Sequence, residues 1–156
     1  MKIKWKTLII CIVIPIAVGG IAAMISMEGM KAFESMNQPP LSPPMWLFPV
    51  VWTILYVLMG ISSYLVKTAA VDNDTITQAL WIYGIQLLIN FLWTIIFFNF
   101  QLYWFAFFWL IALWIAILVC LIRFAKINMT SGILLIPYLV WVAFAIYLNL
   151  AVAILN

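Results

Sequence analysis

The side chains that ordinarily carry chemistry are scarce in this chain, which has no histidine, two cysteines and four acidic residues. Glu28, Glu34, Asp72 and Asp74 all fall in short polar stretches between long apolar runs. Without histidine, serine and cysteine lack the usual general base, and two cysteines alone do not make a metal site. Lys67 stands at the end of an apolar run, where lysine serves as an anchor. Proton-coupled carriers place an ionisable group inside the membrane, and here no charge falls in the middle of an apolar run, which disfavours a proton-driven exporter. Aromatic side chains are abundant instead, at 17% of the chain with nine tryptophans. Such groups stack on flat rings, donate hydrogen bonds through the indole N–H and are themselves oxidisable.

Three runs place aromatic, small and amide side chains at helical spacing. Tyr83, Gln86, Asn90, Trp93 and Phe97 recur at steps of three and four and share one helical face. Two amides in hydrocarbon need partners, since an unsatisfied polar group there costs several kcal/mol. They serve either as bonds between helices, worth about 0.6–2 kcal/mol each, or as the wall of a pocket, and the two roles are compatible. In the preceding run Trp52, Tyr56, Gly60 and Ser63 share a face, with Pro49 expected to free a carbonyl or bend the helix. The last run follows Pro137-Tyr138 with Trp141, Ala145 and Asn149 at i, i+4 and i+8, where Ala145 either permits close packing or leaves room for a ligand.

The elements that must position these faces follow from composition. The chain has 156 residues, of which 69% are apolar and 7% charged, against roughly 25% charged in soluble domains. A water-exposed globule is excluded. Apolar spans at about 7–26, 45–66, 79–99, 102–122 and 132–155 are each long enough to cross a hydrocarbon core of about 30 Å. The expected fold is therefore all-α, a single bundle of five transmembrane helices with its termini on opposite sides of the bilayer. The span over 102–122 has almost no polar side chain and reads as scaffold, with Trp104 in the interfacial belt and Trp109 and Trp114 facing lipid or packing.

Lys2, Lys4, Lys6, Lys67, Arg123 and Lys126 fall on the N-terminal side and only Lys31 on the other. The positive-inside rule then puts the N-terminus in the cytoplasm and the C-terminus outside. The net charge of +3 is a topology signal, and no nucleic-acid partner is expected. Three lysines followed by an apolar stretch and Gly19, Gly20, Ala22 and Ala23 resemble a signal peptide, but Leu8–Ile25 is longer than a usual signal core and an uncleaved helix is expected. Cys11 and Cys120 read as small buried thiols. The stretch 27–43, stiffened by prolines, reads as a lid across the mouth of the bundle or as a plain linker. Asn99-Phe100-Gln101 makes a tight antiparallel connection.

The combination Pro43-Pro44-x-Trp46-x-Phe48-Pro49-x-x-Trp52-Thr53-x-x-Tyr56, then Gln86-x-x-x-Asn90-x-x-Trp93-x-x-x-Phe97-Phe98, then Pro137-Tyr138-x-x-Trp141-x-x-x-Ala145-x-x-x-Asn149 closely resembles the tryptophan-rich sensory protein and translocator protein family, also called the peripheral benzodiazepine receptor family. The likeness runs from about Pro39 to Asn149 in order and spacing. It implies a five-helix membrane fold, usually a homodimer, with a ligand cavity near the face closed by the first loop. It further implies binding of porphyrins such as protoporphyrin IX and of isoquinoline carboxamide or benzodiazepine ligands, cholesterol binding in animal members, and in some bacterial members light-dependent degradation of protoporphyrin. Trp52 and Trp141 match the family's cavity tryptophans, Asn90 and Ala145 match other cavity positions, and Trp93 falls where a cavity aromatic is common.

Family resemblance and residue chemistry together give Trp52, Tyr56, Gln86, Asn90, Trp93, Tyr138, Trp141 and Ala145 as the expected ligand-binding residues, with Trp52 and Trp141 as carriers of any light-driven oxidation. A flat apolar macrocycle with polar propionates suits an aromatic cavity bearing a few amides. The lack of histidine removes the commonest haem ligand, so unmetallated protoporphyrin IX is the expected ligand, with no required cofactor and no metal. Two departures bear on this. Leu41 stands where many relatives carry a loop tryptophan, and no basic residue follows Lys126, so the cholesterol pattern of animal members is missing. The reading is of a bacterial cell-membrane protein that senses or regulates tetrapyrroles, with a porphyrin-degrading enzyme and a transporter of porphyrins or other hydrophobic metabolites as alternatives.

Overall fold

The computed structural model describes residues 2–156. Helices α1 (Trp5–Ile25), α2 (Met27–Glu34), α3 (Leu47–Lys67), α4 (Asn73–Thr94), α5 (Tyr103–Ile127), α6 (Met129–Ile133) and α7 (Ile136–Leu155) follow one another, and a π-helical turn over Ile95–Asn99 extends α4. Five stretches, at 5–25, 47–67, 73–99, 103–127 and 129–155, are long and apolar enough to cross a membrane. The all-α five-span reading thus holds, with shifted edges.

The shifts have local causes. The third span starts at Asn73 because Asp72 caps it, its carboxylate accepting from the Thr75 hydroxyl at 2.7 Å and the Thr75 amide at 2.9 Å. Those two bonds, the hydroxyl first, hold the Asp72 carboxyl below its ordinary pKa. The fifth span is broken into α6 and α7, with Asn128 capping α6 through the Ser131 amide. Helix α3 begins at Leu47, so Pro49 lies in its first turn, where its missing N–H has no intrahelical acceptor to lose. Part of the loop between the first two spans is helical, forming α2 with a Glu28–Lys31 ion pair at 3.7 Å.

Helix α5 packs against both α4 and α7, burying Ala106, Leu110, Leu113, Ile117 and Cys120. Its tryptophans pack rather than face lipid alone: Trp109 donates to the Ile89 carbonyl at 2.9 Å and Trp114 to the Leu139 carbonyl at 3.1 Å. Trp5, Trp46, Trp81 and Trp104 are all more than half exposed, as interfacial residues should be. Gln101, with φ of 54°, turns the chain between α4 and α5.

The two ends of the bundle are distinct. At one end the Lys4 amide donates to the Tyr64 hydroxyl at 2.9 Å, and the Ser62 hydroxyl to the Ser131 carbonyl at 2.7 Å. At the other, the side-chain amide of Asn156 reaches the Asn37 carbonyl at 3.2 Å. The termini therefore lie at opposite ends, and the 27–46 segment covers the C-terminal one.

Helix α1 meets α3 through glycine. A Cβ on Gly60 would stand 2.5 Å from the Ile12 Cα, and one on Gly19 would overlap the Tyr56 ring. Gly60→Val should therefore separate α1 from α3 and destabilise by about 1–3 kcal/mol, the usual range for overpacking. Gly84→Ala, where a Cβ meets nothing within 4 Å, should be neutral or stabilising by up to about 1 kcal/mol. Thermal unfolding in one detergent checks the contrast, and equal effects would contradict the packing described.

Candidate ligand cavity

A cavity of about 480 Å³ lies at the covered end of the bundle, walled by α1, α3, α4 with its π turn, α7 and the 27–46 segment. Helix α5 contributes no lining residue, in keeping with its role as scaffold. The α1 wall consists of Ile16 and the small residues Gly19, Gly20, Ala22 and Ala23. From α3 come Phe48, Pro49, Trp52, Thr53 and Tyr56; from α4 and its π turn come Trp93, Thr94, Phe97 and Phe98. Trp141, Ala145, Leu148, Asn149 and Val152 complete the wall from α7.

The aromatic side chains are held by one another. Trp52 stacks on Tyr56 at 5.6 Å and 29°, and meets the Tyr138 ring edge-on at 6.2 Å. Trp141 packs edge-on against Phe48 at 6.0 Å. Trp93 lies over Phe97 at 5.3 Å and donates its indole proton to Asn149 Oδ1 at 3.1 Å, while Asn149 Nδ2 donates to the Tyr103 carbonyl at 2.9 Å.

Those bonds decide what the wall can offer. Both ends of the Asn149 amide are engaged, and Thr53 and Thr94 give their hydroxyl protons to the Pro49 and Asn90 carbonyls. Among the described residues the indole N–H groups of Trp52 and Trp141 have no protein acceptor, which leaves them able to donate to a ligand. Among the described residues Glu34 is the only charged side chain in the lining.

The 27–46 segment is tied down across this end. Tyr147 donates to the Pro40 carbonyl at 2.6 Å and the Tyr103 hydroxyl approaches Met36 Sδ at 3.0 Å. Asn99 Nδ2 donates to the Ile25 carbonyl at 3.2 Å, and Gly29 sits where a Cβ would overlap the Phe98 carbonyl. Met30, Phe33, Gln38, Pro39 and Ser42 of this segment reach the cavity.

Of the residues singled out by spacing, Trp52, Tyr56, Trp93, Trp141 and Ala145 stand together in the lining; Gln86, Asn90 and Tyr138 do not. The latter three form a buried chain in which Asn90 Nδ2 donates to the Tyr138 hydroxyl at 2.8 Å and that hydroxyl donates to Gln86 Oε1 at 2.7 Å. Between the two roles open to the amides, the structure uses them as bonds joining α4 to α7, because all three side chains are at most 2% exposed. The α1 wall escaped the sequence reading, where its small residues suggested a signal peptide. Asn149 was legible as part of a shared face, though its lining role was not.

Taken together, five apolar spans with an aromatic cavity beneath the tethered 27–46 segment define a helical membrane protein. The TspO/MBR family model matches residues 11–155. A tryptophan-rich protein TspO of Chlorobaculum tepidum is 33% identical over 96% of both chains. Protein CrtK of Rhodobacter capsulatus is 36% identical over 80% of this chain and 78% of its own, and the human translocator protein 32% identical over 80% and 75%. The chain belongs to the TspO/MBR family and is an integral membrane protein.

Tyr138→Phe removes the hydroxyl that both amides need. The cost should be about 1–3 kcal/mol, that of leaving a buried polar group unpaired, read as a lower unfolding midpoint with the fold retained. An unchanged midpoint would contradict the interhelical role.

Proposed function

We propose that the protein binds porphyrins, protoporphyrin IX in particular, and similar flat hydrophobic molecules in this cavity, and acts as a sensor or regulator of tetrapyrrole metabolism. The observation that carries this is the cluster of Trp52, Trp93 and Trp141 around one enclosed space, with two indole donors uncommitted. Its volume of about 480 Å³ falls in the roughly 300–1,000 Å³ range of small-molecule pockets. Among the described residues the lining has no basic side chain, so a macrocycle is held chiefly through its ring against the indoles. The names of relatives, tryptophan-rich sensory protein and translocator protein, accord with ligand sensing or passage.

By the positive-inside rule, the basic residues at the Lys4 end support an N-terminus in the cytoplasm of a bacterial cell, with the cavity mouth toward the outer side. A homodimer is the expected assembly, from the family likeness. A second reading, light-dependent degradation of the bound porphyrin, is favoured by Trp52, an oxidisable indole between the rings of Tyr56 and Tyr138. Transport is the third.

Protoporphyrin IX added to the purified protein should quench tryptophan fluorescence saturably at micromolar concentration, and no quenching would contradict every porphyrin version. Trp52→Phe and Trp141→Phe should retain binding within about tenfold, the loss of one hydrogen bond being worth about 1 kcal/mol. If the protein also degrades its ligand, these variants should lose light-dependent bleaching; unchanged bleaching would rule out the indoles as oxidised partners. Flux of porphyrin into empty vesicles reads transport separately.

A further inference from the structure

Helix α2 turns one face to the cavity. Met30, Phe33 and Glu34 all belong to the lining, and steps of three and four residues put them side by side on one helical face. Glu28 and Lys31 are outside the lining and pair with each other at 3.7 Å, both well exposed. The cavity face is fixed in place by its neighbours. The Phe33 ring lies against Phe97 and Phe98 of the π turn, both at 5.6 Å, and Gly29 lets the helix approach the Phe98 carbonyl, where a Cβ would overlap. Past the end of α2 the Ser35 hydroxyl donates to the Ala32 carbonyl at 2.8 Å and Gln38 Nε2 to the Phe33 carbonyl at 2.9 Å.

Glu34 is thereby held at the rim of the cavity: it belongs to the lining and is also exposed. Its charge has no counterpart there. Lys31 is the one basic residue of the 27–46 segment, and its ammonium is turned to Glu28. The lining from α1, α3, α4 with its π turn, and α7 carries no charged side chain among the described residues, and Gln38 and Ser42 of the 27–46 segment are neutral. A cleft with low-dielectric walls and one sign of charge focuses the field on whatever enters it. Two unit charges about 6 Å apart change binding about threefold even when water screens them.

We propose that Glu34 is a specificity-determining residue that selects ligands by charge. Its carboxylate favours flat aromatic molecules carrying a protonated amine over neutral ones of the same shape, and penalises those carrying carboxylates. The aromatic walls hold the ring system in every case, and Glu34 ranks the substituents left at the rim. The inference rests on the reading that flat hydrophobic ligands bind in this cavity. It adds a ranking that the indoles cannot supply, because an indole N–H and a ring face do not distinguish an ester from an amine at the far edge of the macrocycle.

Three probes with one ring test it: protoporphyrin IX, its dimethyl ester, and its bis-amide with dimethylaminoethylamine, which carries two protonated amines. Each is titrated in the dark, at low ionic strength and in a non-ionic detergent, into the full chain and into Glu34→Gln, with tryptophan quenching as the readout. Glu34→Gln should bind the dicarboxylate about threefold more tightly or better and the diamine weaker by a similar factor, with the ester unchanged. Glu34→Lys should carry both shifts further in the same directions. Raising the salt to about 1 M, where charges are screened within about 3 Å, should shrink them. The ester guards against a variant that merely disturbs the fold, since such damage moves all three probes together. Affinities that move together, or that do not move, would overturn the proposal while leaving the cavity reading intact. A wild-type protein that binds none of the three, the neutral ester included, would contradict the cavity reading and this inference with it.

Discussion

The Tyr138 hydroxyl is the interaction on which the interior arrangement turns. Hydrocarbon offers no partner to a polar side chain, so the amides of Gln86 and Asn90 have to be satisfied within the bundle. A single phenol partners one polar atom of each, donating to Gln86 Oε1 at 2.7 Å and accepting from Asn90 Nδ2 at 2.8 Å. The two bonds join α4 to α7 at mid-depth. Because the Tyr138 ring also meets the edge of Trp52, the same contact sets where the floor of the cavity lies. Above it the helices are lined by rings and small residues; beside and below it they close into a dense core of Met59, Leu113, Ile117 and Val142.

That division of labour explains why the cavity offers so few polar atoms. The amides of Gln86 and Asn90, which helical spacing leaves open to pocket or to glue, join α4 to α7 through Tyr138, and the Asn149 amide positions Trp93 and the start of α5. On the proposed function, recognition falls to flat aromatic surfaces, two indole N–H groups and the residues of the 27–46 segment. Such a surface suits a broad, planar, mainly apolar molecule better than one that needs a dense set of matched hydrogen bonds.

Much of this was legible beforehand, for reasons that differ by element. Span length and charge placement report directly on the bilayer, so five crossings and opposite termini could be read from apolar runs and eleven charged side chains. Helical spacing put Trp52 with Tyr56, and Trp141 with Ala145, on shared faces that do line one space. Periodicity says which residues share a face but not what that face meets, which is why Gln86 and Asn90 stood equally well for pocket and for glue. The small residues of α1 carry no chemistry of their own; their contribution is room, visible only once the opposing aromatics are in place. Helix α2 was hidden by its brevity and its setting in a proline-rich connection, and the early start of α4 by a cap whose partner, Thr75, is an ordinary polar residue.

The central claim is that the space bounded by Trp52, Trp93 and Trp141 is where ligand binds. Ala145 borders it from α7 and is nearly buried, so Ala145→Phe places a ring in the cavity without touching the Tyr138 bonds. Equilibrium titration of protoporphyrin IX into this variant, beside the wild-type protein in the same detergent, is the most direct measurement. Affinity should fall at least tenfold while helicity and the unfolding midpoint stay close to those of the wild type. Unchanged affinity in a variant that remains folded would place the ligand elsewhere on the molecule.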